Sequence, residues 1–428
     1  MIDVIPFAAM VAALLLGVPI AVALAGSGVL GIWLVKEEWG IVLGVLKTAT
    51  LAAADYNLST VPMFILLAYF SSTSGLAEEL YTAASRWLSH LRGGLAIATI
   101  FACAVFGALC GGSVAASAVM SKIAYPNMRR LGYSDVLSVG VVGVGSTIVI
   151  LIPPSVPMVI YGIVTETSIG KLLIAGVFPG ILLGICLILC ILIWVTLDPS
   201  HAPQAQAATW AERWGSLRGI WPSITLIIVI LVVLYSGIAT PTEAGAVGAA
   251  AAAVIGIALK RLTWKGFLKA VVDTVGASTM IFMIVIGATI FGSYMTMSRI
   301  PQDLAAAVTA MQINPWVIII AITVGYFIIS MFMDEIPLLI LTLPVTFPLV
   351  TKIGFDPIWF GVLSVLMVCM GLVFPPVGLV AFVVSATTKV DLVTVYRGTS
   401  ILICGIFLTY IFVMIFPKIA TWLPATMR

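Results

Sequence analysis

Ile152-Pro153-Pro154-Ser155 and Phe374-Pro375-Pro376-Val377 contain two proline pairs that decide the fold, since each lies in a stretch that otherwise has the composition of a membrane-spanning helix. A proline within a helix removes a backbone donor and clashes with the preceding turn, at a cost of about 3 kcal/mol or more, so two in succession should unwind the segment. In hydrocarbon, unwound backbone is tolerated only where protein buries it or where it lines a watery cavity. The two breaks are therefore candidate binding sites.

The two breaks belong to an internal duplication, because adding 222 to a residue number in the first half repeatedly gives its counterpart in the second. The matching positions are Pro153-Pro154 with Pro375-Pro376, Tyr125-Pro126 with Phe347-Pro348, Gly132-Tyr133 with Gly354-Phe355, Thr165 with Thr387, and Pro19 with Pro241. Of the eight prolines from Pro6 to Pro179, four have a proline at this offset. An average proline frequency of about 5% would give fewer than one such match.

The composition indicates an integral membrane protein. Apolar residues make up 62% of the chain, charged residues only 9%, and the mean hydropathy is +1.23, so there is too little polar surface to cover a soluble globule. The apolar runs are continuous over about 20 residues, the length that a helix needs to cross the hydrocarbon core. We therefore predict an all-α polytopic membrane protein, and not the alternating pattern of a β-barrel.

The order of segments predicts two repeats of the same design. The first repeat covers residues 1–197, a polar linker covers 198–219, and the second repeat covers 220–428. The predicted elements are a re-entrant hairpin at about 94–128, a broken helix at about 135–164, a second hairpin at about 316–350 and a second broken helix at about 357–386. If each repeat crosses the membrane an odd number of times, the two repeats are inverted with respect to each other.

Shorter signals fill in the remaining segments. Gly17-Val18-Pro19 interrupts the apolar run 2–35, which leaves one helix or two as alternatives. Thr240 and Glu243 form a capping-box pattern at the start of a helix. Further predicted elements are an amphipathic surface helix at 78–92, spans at 220–235 and 278–297, a basic amphipathic segment at 260–273 and a surface helix after Pro301.

The hairpin tips carry the groups best suited to binding an ion. Cys110-Gly111-Gly112-Ser113 would leave main-chain carbonyls and a hydroxyl free at mid-membrane. The second tip falls near Asp334 and Glu335, and an acidic residue at that depth costs about 2.5–3.5 kcal/mol, so it usually faces a cavity or a cation.

Inverted repeats with broken helices are typical of secondary transporters. The chain lacks the phosphate-binding Gly-Lys-Ser/Thr loop of ATPases, and its two histidines and the adjacent Asp334-Glu335 supply no catalytic constellation, so we expect no enzyme. An ion channel, which also uses broken helices, is an alternative. An intramembrane enzyme is a third class, against which the missing constellation argues.

A set of short motifs distributed over essentially the whole chain resembles one family. The motifs are Gly111-Gly112-Ser113, Tyr125-Pro126-Asn127-Met128, Leu131-Gly132-Tyr133, Ile152-Pro153-Pro154-Ser155, Ile160-Tyr161-Gly162, Thr165 to Gly170, Ala175 to Gly180, Thr240 to Ala244, and Gly371 to Gly378. Together they resemble the large membrane subunit (DctM-like) of tripartite ATP-independent periplasmic transporters.

The resemblance implies an elevator-type secondary transporter of the ion-transporter superfamily, in the bacterial inner membrane. It implies symport of an organic acid, such as a C4-dicarboxylate, driven by a sodium gradient. The implied partners are a periplasmic substrate-binding protein, a small four-helix membrane subunit and membrane lipid; nucleic acid is not expected, and sodium is the coupling ion with no cofactor. A related sodium-coupled carboxylate transporter that works without a binding protein is an alternative, and dicarboxylates, keto acids and sialic acids stay open as substrates.

The resemblance also implies two sodium sites, each between a hairpin tip and the neighbouring helix break. Carried onto this sequence, the first site uses Gly111, Ser113, Gly145 and Pro153 to Ser155, and the second uses Met333, Asp334, Gly371 and Phe374 to Pro376. Main-chain carbonyls would dominate, with Ser113 and Asp334 adding side-chain oxygens. Candidate contacts for the substrate carboxylate are the hydroxyls near the first break, namely Ser146, Thr147, Ser155 and Tyr161, with helix packing as the alternative role for each.

Overall fold

The structure is a computed structural model that describes residues 5–203, 208–236, 238–300, 302, 303, 306 and 313–427. All of its regular elements in these ranges are helices, which confirms the predicted all-α class. Six helices in the described part are long and apolar enough to cross a membrane, and seven if one bent pair counts as a single span. The predicted surface helix after Pro301 lies largely outside the described residues.

The first half consists of short helices followed by the predicted hairpin and broken helix. Its helices are Ile5–Leu15, Ile20–Lys36, Trp39–Ala52, Thr60–Thr73, Leu76–Leu88, Gly94–Cys110, Ser113–Arg130, Asp135–Thr147, Val156–Thr165, Ile169–Ala175 and Val177–Leu197, with 3-10 turns at Tyr56–Ser59, Ile148–Ile150 and Pro199–His201. The described part of the apolar run, residues 5–35, thus forms two helices, and the turn between them contains Gly17 at φ +79°, a backbone conformation that favours glycine.

The second half has longer helices before the same hairpin and break. Its helices are Trp210–Ser236, Pro241–Ala258, Trp264–Ser298, Pro315–Ser330, Glu335–Lys352, Pro357–Gly371, Leu379–Thr388, Leu392–Ile415 and Lys418–Ala425. We call Gly94–Cys110 with Ser113–Arg130 the first hairpin, and Pro315–Ser330 with Glu335–Lys352 the second. The first broken helix is Asp135–Thr147 with Val156–Thr165, and the second is Pro357–Gly371 with Leu379–Thr388. Both proline pairs, which lie in the interruptions, have cis peptide bonds.

Two helices extend beyond their predicted starts. Trp210–Ser236 begins inside the predicted linker 198–219, because Thr209 caps it: the Glu212 N–H donates to the Thr209 hydroxyl (3.3 Å), and the Thr209 N–H donates to the Glu212 carboxylate (2.8 Å). This is the same capping box that the sequence predicts at Thr240, where the structure confirms it.

The predicted basic segment 260–273 and the span 278–297 are one continuous helix, Trp264–Ser298, and not two elements. Thr263 caps its start by accepting a hydrogen bond from the Gly266 N–H at 3.1 Å. The helix contains no proline, so nothing in its sequence forces an interruption between the polar and apolar parts.

Glycines set the closest helix crossings. Asp135–Thr147 crosses Leu392–Ile415 where Gly140 meets Gly398, and a Cβ atom added to Gly398 would lie 2.1 Å from the Val136 carbonyl oxygen. Such close approach gives membrane helices their van der Waals contact in the absence of a hydrophobic driving force. The crossing therefore fixes the first broken helix against the rest of the second half.

We expect Gly398→Ala to lower the free energy of unfolding by about 1–3 kcal/mol, because the added methyl group overpacks a backbone contact. Gly184→Ala is the matched control, since a Cβ there meets no atom within 4 Å. Thermal unfolding of the purified protein in detergent measures both variants. Equal melting temperatures for the two would contradict the crossing.

Candidate functional site

Each hairpin tip contacts the restart of the neighbouring broken helix. In the first half, the Val156 N–H donates to the Gly111 carbonyl oxygen at 3.1 Å. In the second half, the Gly378 N–H donates to the Met331 carbonyl oxygen at 2.9 Å. The two donors, Val156 and Gly378, occupy equivalent positions in the sequence duplication. In both halves, a carbonyl oxygen at the hairpin tip therefore accepts a hydrogen bond from the backbone just after the proline pair.

Each of these contacts involves a glycine, which lies at the hairpin tip in the first half and in the break in the second. Gly111 has φ +69°, and a Cβ atom there would lie 3.0 Å from the Pro154 carbonyl oxygen. Gly378 has φ +55°, and its Cβ would lie 2.8 Å from the Phe374 carbonyl oxygen. A side chain at either position would strain the backbone; at Gly111 it would also press against the break, and at Gly378 against the preceding residues of the break itself.

The two hairpin tips also contact each other. The Ser113 hydroxyl donates to the Glu335 carboxylate, at 3.1 Å from Oε1 and 3.0 Å from Oε2, and the Ser113 N–H lies 3.4 Å from Oε1. Ser113 is 0% and Glu335 only 3% exposed. Close by, the Cys369 thiol donates weakly to the Thr147 carbonyl oxygen at 3.5 Å. Both contacts join residues that are 222 positions apart, the offset of the duplication.

Of the two acidic residues that the sequence predicts at the second tip, Glu335 makes the contact between the tips, whereas the implied sodium site includes only Asp334. Asp334 caps the second arm of the second hairpin, because its Oδ1 accepts from the Glu335 N–H at 2.9 Å. Glu335 is the inward-facing member of the pair, and none of the ion pairs among the described residues involves it. The signal that could have identified it is its position, 222 residues after Ser113.

Asp334 lines a large cavity. The cavity has a volume of about 1320 Å³, and apart from Asp334 the described residues that line it are uncharged and mostly apolar. They come from the first two helices, Ile5–Leu15 and Ile20–Lys36, and the turn between them, from Trp264–Ser298, from both arms of the second hairpin, and from the second broken helix at Val377 and Leu379. A carboxylate in such apolar surroundings is costly unless it gains a partner.

The predicted residues of the first sodium site make several different contacts. Gly111 lies against Pro154, and Pro153 is buried. Ser113 instead directs its hydroxyl to Glu335. Of the two others, a Cβ at Gly145 would contact the Cys103 sulfur of the first hairpin at 3.3 Å, and the Ser155 hydroxyl donates to the Ile150 carbonyl oxygen at 2.5 Å, so their role in the site stays a prediction.

Among the residues predicted for the second sodium site, those around the break pack on the first arm of the second hairpin. A Cβ at Gly371 would overlap the Ser330 hydroxyl, and the Phe374 ring lies 5.3 Å from the Phe327 ring between centroids. The Pro376 carbonyl oxygen accepts from the Tyr396 hydroxyl at 2.9 Å. Met333 and Asp334 line the large cavity described above.

The four predicted substrate hydroxyls are fully buried, and each donates to a main-chain carbonyl oxygen. The distances are 2.6 Å from Ser146 to Val142, 2.8 Å from Thr147 to Val144, 2.5 Å from Ser155 to Ile150 and 2.7 Å from Tyr161 to Pro357. Three of these bonds are local, and the Tyr161 bond ties the first broken helix to the second. In this conformation the four hydroxyls stabilise the fold, and a role in binding substrate stays a prediction.

The side-chain and main-chain groups at the tips offer mainly oxygen atoms as ligands. The described residues contain no group of three or more His, Cys, Asp or Glu side chains that could hold a metal ion. Carbonyl oxygens at the breaks, the Ser113 hydroxyl and the Asp334 carboxylate are oxygen donors, which prefer hard cations.

Comparison with known proteins identifies the family. The family model described as "Tripartite ATP-independent periplasmic transporter, DctM component" matches residues 7–419. The chain belongs to this family. DctM proteins are transporter permeases and not a family of enzymes, so the chain is the large permease of a tripartite transporter and a multi-pass membrane protein.

Individual relatives agree with the family assignment but differ in their substrates. The chain is 35% identical to the C4-dicarboxylate TRAP transporter large permease protein DctM of Pseudomonas aeruginosa, over 86% of each chain. It is 31% identical to the ectoine TRAP transporter large permease protein TeaC of Halomonas elongata, over 97% of each chain. Among solved structures, the Alcanivorax borkumensis YdaH transporter matches 91% of this chain and 89% of its own with a TM-score of 0.65; at 13% identity this shows a shared fold alone.

The contact between the tips predicts a stability effect. Ser113→Ala removes the hydroxyl that bonds both oxygens of a buried carboxylate, so we expect the free energy of unfolding to fall by about 1–3 kcal/mol. Ser117→Ala in the same helix is the control, because its hydroxyl donates only to Val114 one turn back. Chemical or thermal unfolding in detergent compares the two variants, and equal stability would contradict the structural role of the tip contact.

Proposed function

We propose that this DctM-family permease carries an organic acid across the bacterial inner membrane by sodium-driven symport, receiving it from a periplasmic binding protein and working beside a small membrane subunit. The observation that carries the proposal is the meeting of two hairpin tips and two interrupted helices at one place. Broken helices in transporters place half-helix ends and free carbonyls around the solute and its coupling ions.

The contacts between residues 222 positions apart support two repeats related by a two-fold axis. A residue can touch its own equivalent only near such an axis, and both the Ser113–Glu335 and the Thr147–Cys369 contacts have this property. An axis lying in the membrane plane would make the repeats inverted, with the divisions 1–197 and 220–428 that the sequence predicts. We propose this arrangement, with the tip contact at the membrane centre.

The packing of the remaining helices supports an elevator-type division into two units. Ile20–Lys36 packs along Trp264–Ser298, and Thr60–Thr73 packs along Pro241–Ala258, so these four helices form one group. The hairpins pack on the broken helices and form another. We propose that the second group moves against the first and carries the solute with it.

The two sodium sites are proposed at the junctions between tip and break. At the first, the Pro154 carbonyl oxygen lies beside Gly111, only 3.0 Å from where a Cβ atom of residue 111 would be, and Ser113 follows two residues later. At the second, Asp334 supplies a carboxylate next to Met333 at the hairpin tip. Gly371 and Phe374 of the break pack against the first arm of the same hairpin. Carbonyl oxygens and one carboxylate provide the hard ligands that a desolvated sodium ion requires.

The proposed substrate class is an organic acid, because helix N-termini point toward the tip region. The second arms of both hairpins begin there, at Ser113 and Glu335, and so do the second halves of both broken helices, at Val156 and Leu379. The positive ends of helix dipoles stabilise a carboxylate. A C4-dicarboxylate fits this chemistry, and other carboxylate solutes fit it as well.

Reconstitution tests the proposal against a channel and against a transporter without a binding protein. Proteoliposomes with the permease, its small subunit and the cognate binding protein should accumulate an organic acid above the external concentration when only a sodium gradient is imposed. Equilibration without accumulation would indicate a channel, and equal uptake without the binding protein would indicate the simpler transporter.

Asp334→Ala should abolish sodium-driven uptake in these proteoliposomes, because it removes the carboxylate proposed to bind sodium. Glu38→Gln is the control, since Glu38 is an exposed carboxylate just before the helix Trp39–Ala52. A melting temperature close to wild type would establish that the Asp334 variant is folded. Transport at the wild-type rate by that variant would refute the second site.

A further inference from the structure

A second cavity, separate from the hairpin tips, lies beside the amphipathic helix Leu76–Leu88. Its volume is about 590 Å³. Its walls are this helix and the turn before it, the first turns of Trp210–Ser236 and the turn before Trp264–Ser298, and its charged lining residues are Glu78, Glu79, Arg86 and Arg261. We call it the mixed-charge cavity, because two glutamates and two arginines line it.

Aromatic side chains place this cavity at the level of the membrane interface. Trp87 packs edge-on against Trp210 and Trp214, with ring centroids 6.4 and 5.6 Å away. Trp264, which is 74% exposed, stacks on Phe267. Tryptophans concentrate at the headgroup level of membranes. The ends of several membrane helices meet at the same cavity, which also fits this depth.

Two polar atoms in the cavity wall are buried without a hydrogen-bond partner among the described residues. One is the hydroxyl of Ser74, a residue that is only 1% exposed. The other is Oε2 of Glu79, whose Oε1 is paired with Arg261. A buried acceptor without a partner costs about 1–3 kcal/mol, so these atoms point to a ligand that donates hydrogen bonds.

The two arginines are positioned to hold a second, anionic part of the same ligand. Arg261 is bound to Glu79 but keeps more than a third of its side chain exposed. Arg86 is exposed, and its guanidinium makes a hydrogen bond of 3.4 Å to the Glu212 carbonyl oxygen. Guanidinium groups bind phosphate through two parallel N–H bonds. The cavity thus offers donors for a phosphate next to acceptors for an ammonium.

Glycines keep the space open. A Cβ atom at Gly219 would lie 3.2 Å from the carboxyl carbon of Glu79, and one at Gly215 would meet no atom within 4 Å. Beyond the cavity, exposed apolar side chains continue along both walls, namely Trp221 and Ile224 on one helix and Leu268 and Val272 on the other. A ligand with a small polar head and acyl chains matches this change from polar to apolar surface.

We propose that the mixed-charge cavity binds the headgroup of a phospholipid with a primary ammonium, that is, a phosphatidylethanolamine. The ammonium donates to Glu79 Oε2 and to the Ser74 hydroxyl, with Glu78 nearby, and the phosphate accepts from Arg86 and Arg261. A bound lipid would fasten the amphipathic helix to the helix Trp210–Ser236. This site is independent of the proposed transport function.

Native mass spectrometry of the delipidated protein, titrated with lipids of identical acyl chains, tests the proposal. Phosphatidylethanolamine should bind in preference to phosphatidylcholine, whose trimethylammonium cannot donate a hydrogen bond, and to phosphatidylglycerol, which has no cation. Arg86→Gln should weaken binding of phosphatidylethanolamine about tenfold, the effect of one charge-assisted hydrogen bond. Glu79→Gln should abolish the preference over phosphatidylcholine.

Lys171→Gln, an exposed change on the separate short helix Ile169–Ala175, is the control and should bind as the wild type does. Arg261→Gln is a second variant of the phosphate contact, in case one substitution disturbs folding. Equal binding of the three lipids, or unchanged binding by both arginine variants, would overturn the proposal. Equally tight binding of free phosphoethanolamine would also overturn it, because the site would then bind a soluble ligand. Loss of the lipid when the small subunit is added would overturn it as well, because the cavity would then belong to a subunit interface.

Discussion

Backbone that is not helical must find hydrogen-bond partners inside the protein when the surroundings are hydrocarbon, and this constraint governs the centre of the structure. Each proline pair frees the backbone of a buried segment. The hairpin tips supply the missing partners, since Gly111 accepts from Val156 in one half and Met331 accepts from Gly378 in the other. The hairpins are therefore needed to make the breaks possible, whatever else they bind.

The two breaks meet this constraint with different side chains. In the first, Ser155 donates to the Ile150 carbonyl oxygen within the same segment. Its counterpart, 222 positions later, is Val377, which has no hydroxyl. The second break instead receives donors from the helix Leu392–Ile415: Tyr396 donates to the Val377 carbonyl oxygen at 2.7 Å, and Thr399 donates to that of Val373 at 2.8 Å. The halves thus share a backbone design while their side chains have diverged.

Divergence is also evident where the tips meet. Ser113 and Glu335 hold equivalent positions, yet one carries a hydroxyl and the other a carboxylate, so they form a hydrogen bond that two identical residues could not form so well. Two carboxylates there would repel each other in a medium of low dielectric constant. Ser113 provides both its hydroxyl and its N–H, which lowers the cost of burying Glu335.

Much of the fold follows from local sequence signals. Prolines and glycines mark the breaks and the tips, and the capping box at Thr240 marks a helix start. The same box at Thr209 lies in a polar stretch that otherwise has the composition of a linker, so composition predicts no helix start there. The Ser113–Glu335 contact depends on how the halves come together, which composition does not reveal. Nearness to a break does not by itself identify a substrate hydroxyl, because serine and threonine in helices readily bond to their own preceding turn, as Ser146 and Thr147 do.

If the two proposed repeats are inverted, equivalent residues at the ends of the hairpins lie on opposite sides of the membrane. Arg130 and Lys352 are exposed, end the second arms of the two hairpins, and lie 222 positions apart. Single cysteines at these positions, in a chain whose six native cysteines are replaced, can be labelled with a membrane-impermeant maleimide on intact and on opened spheroplasts. Inverted repeats predict that one cysteine is labelled from outside and the other only after opening, whereas labelling of both from the same side would rule out the inversion.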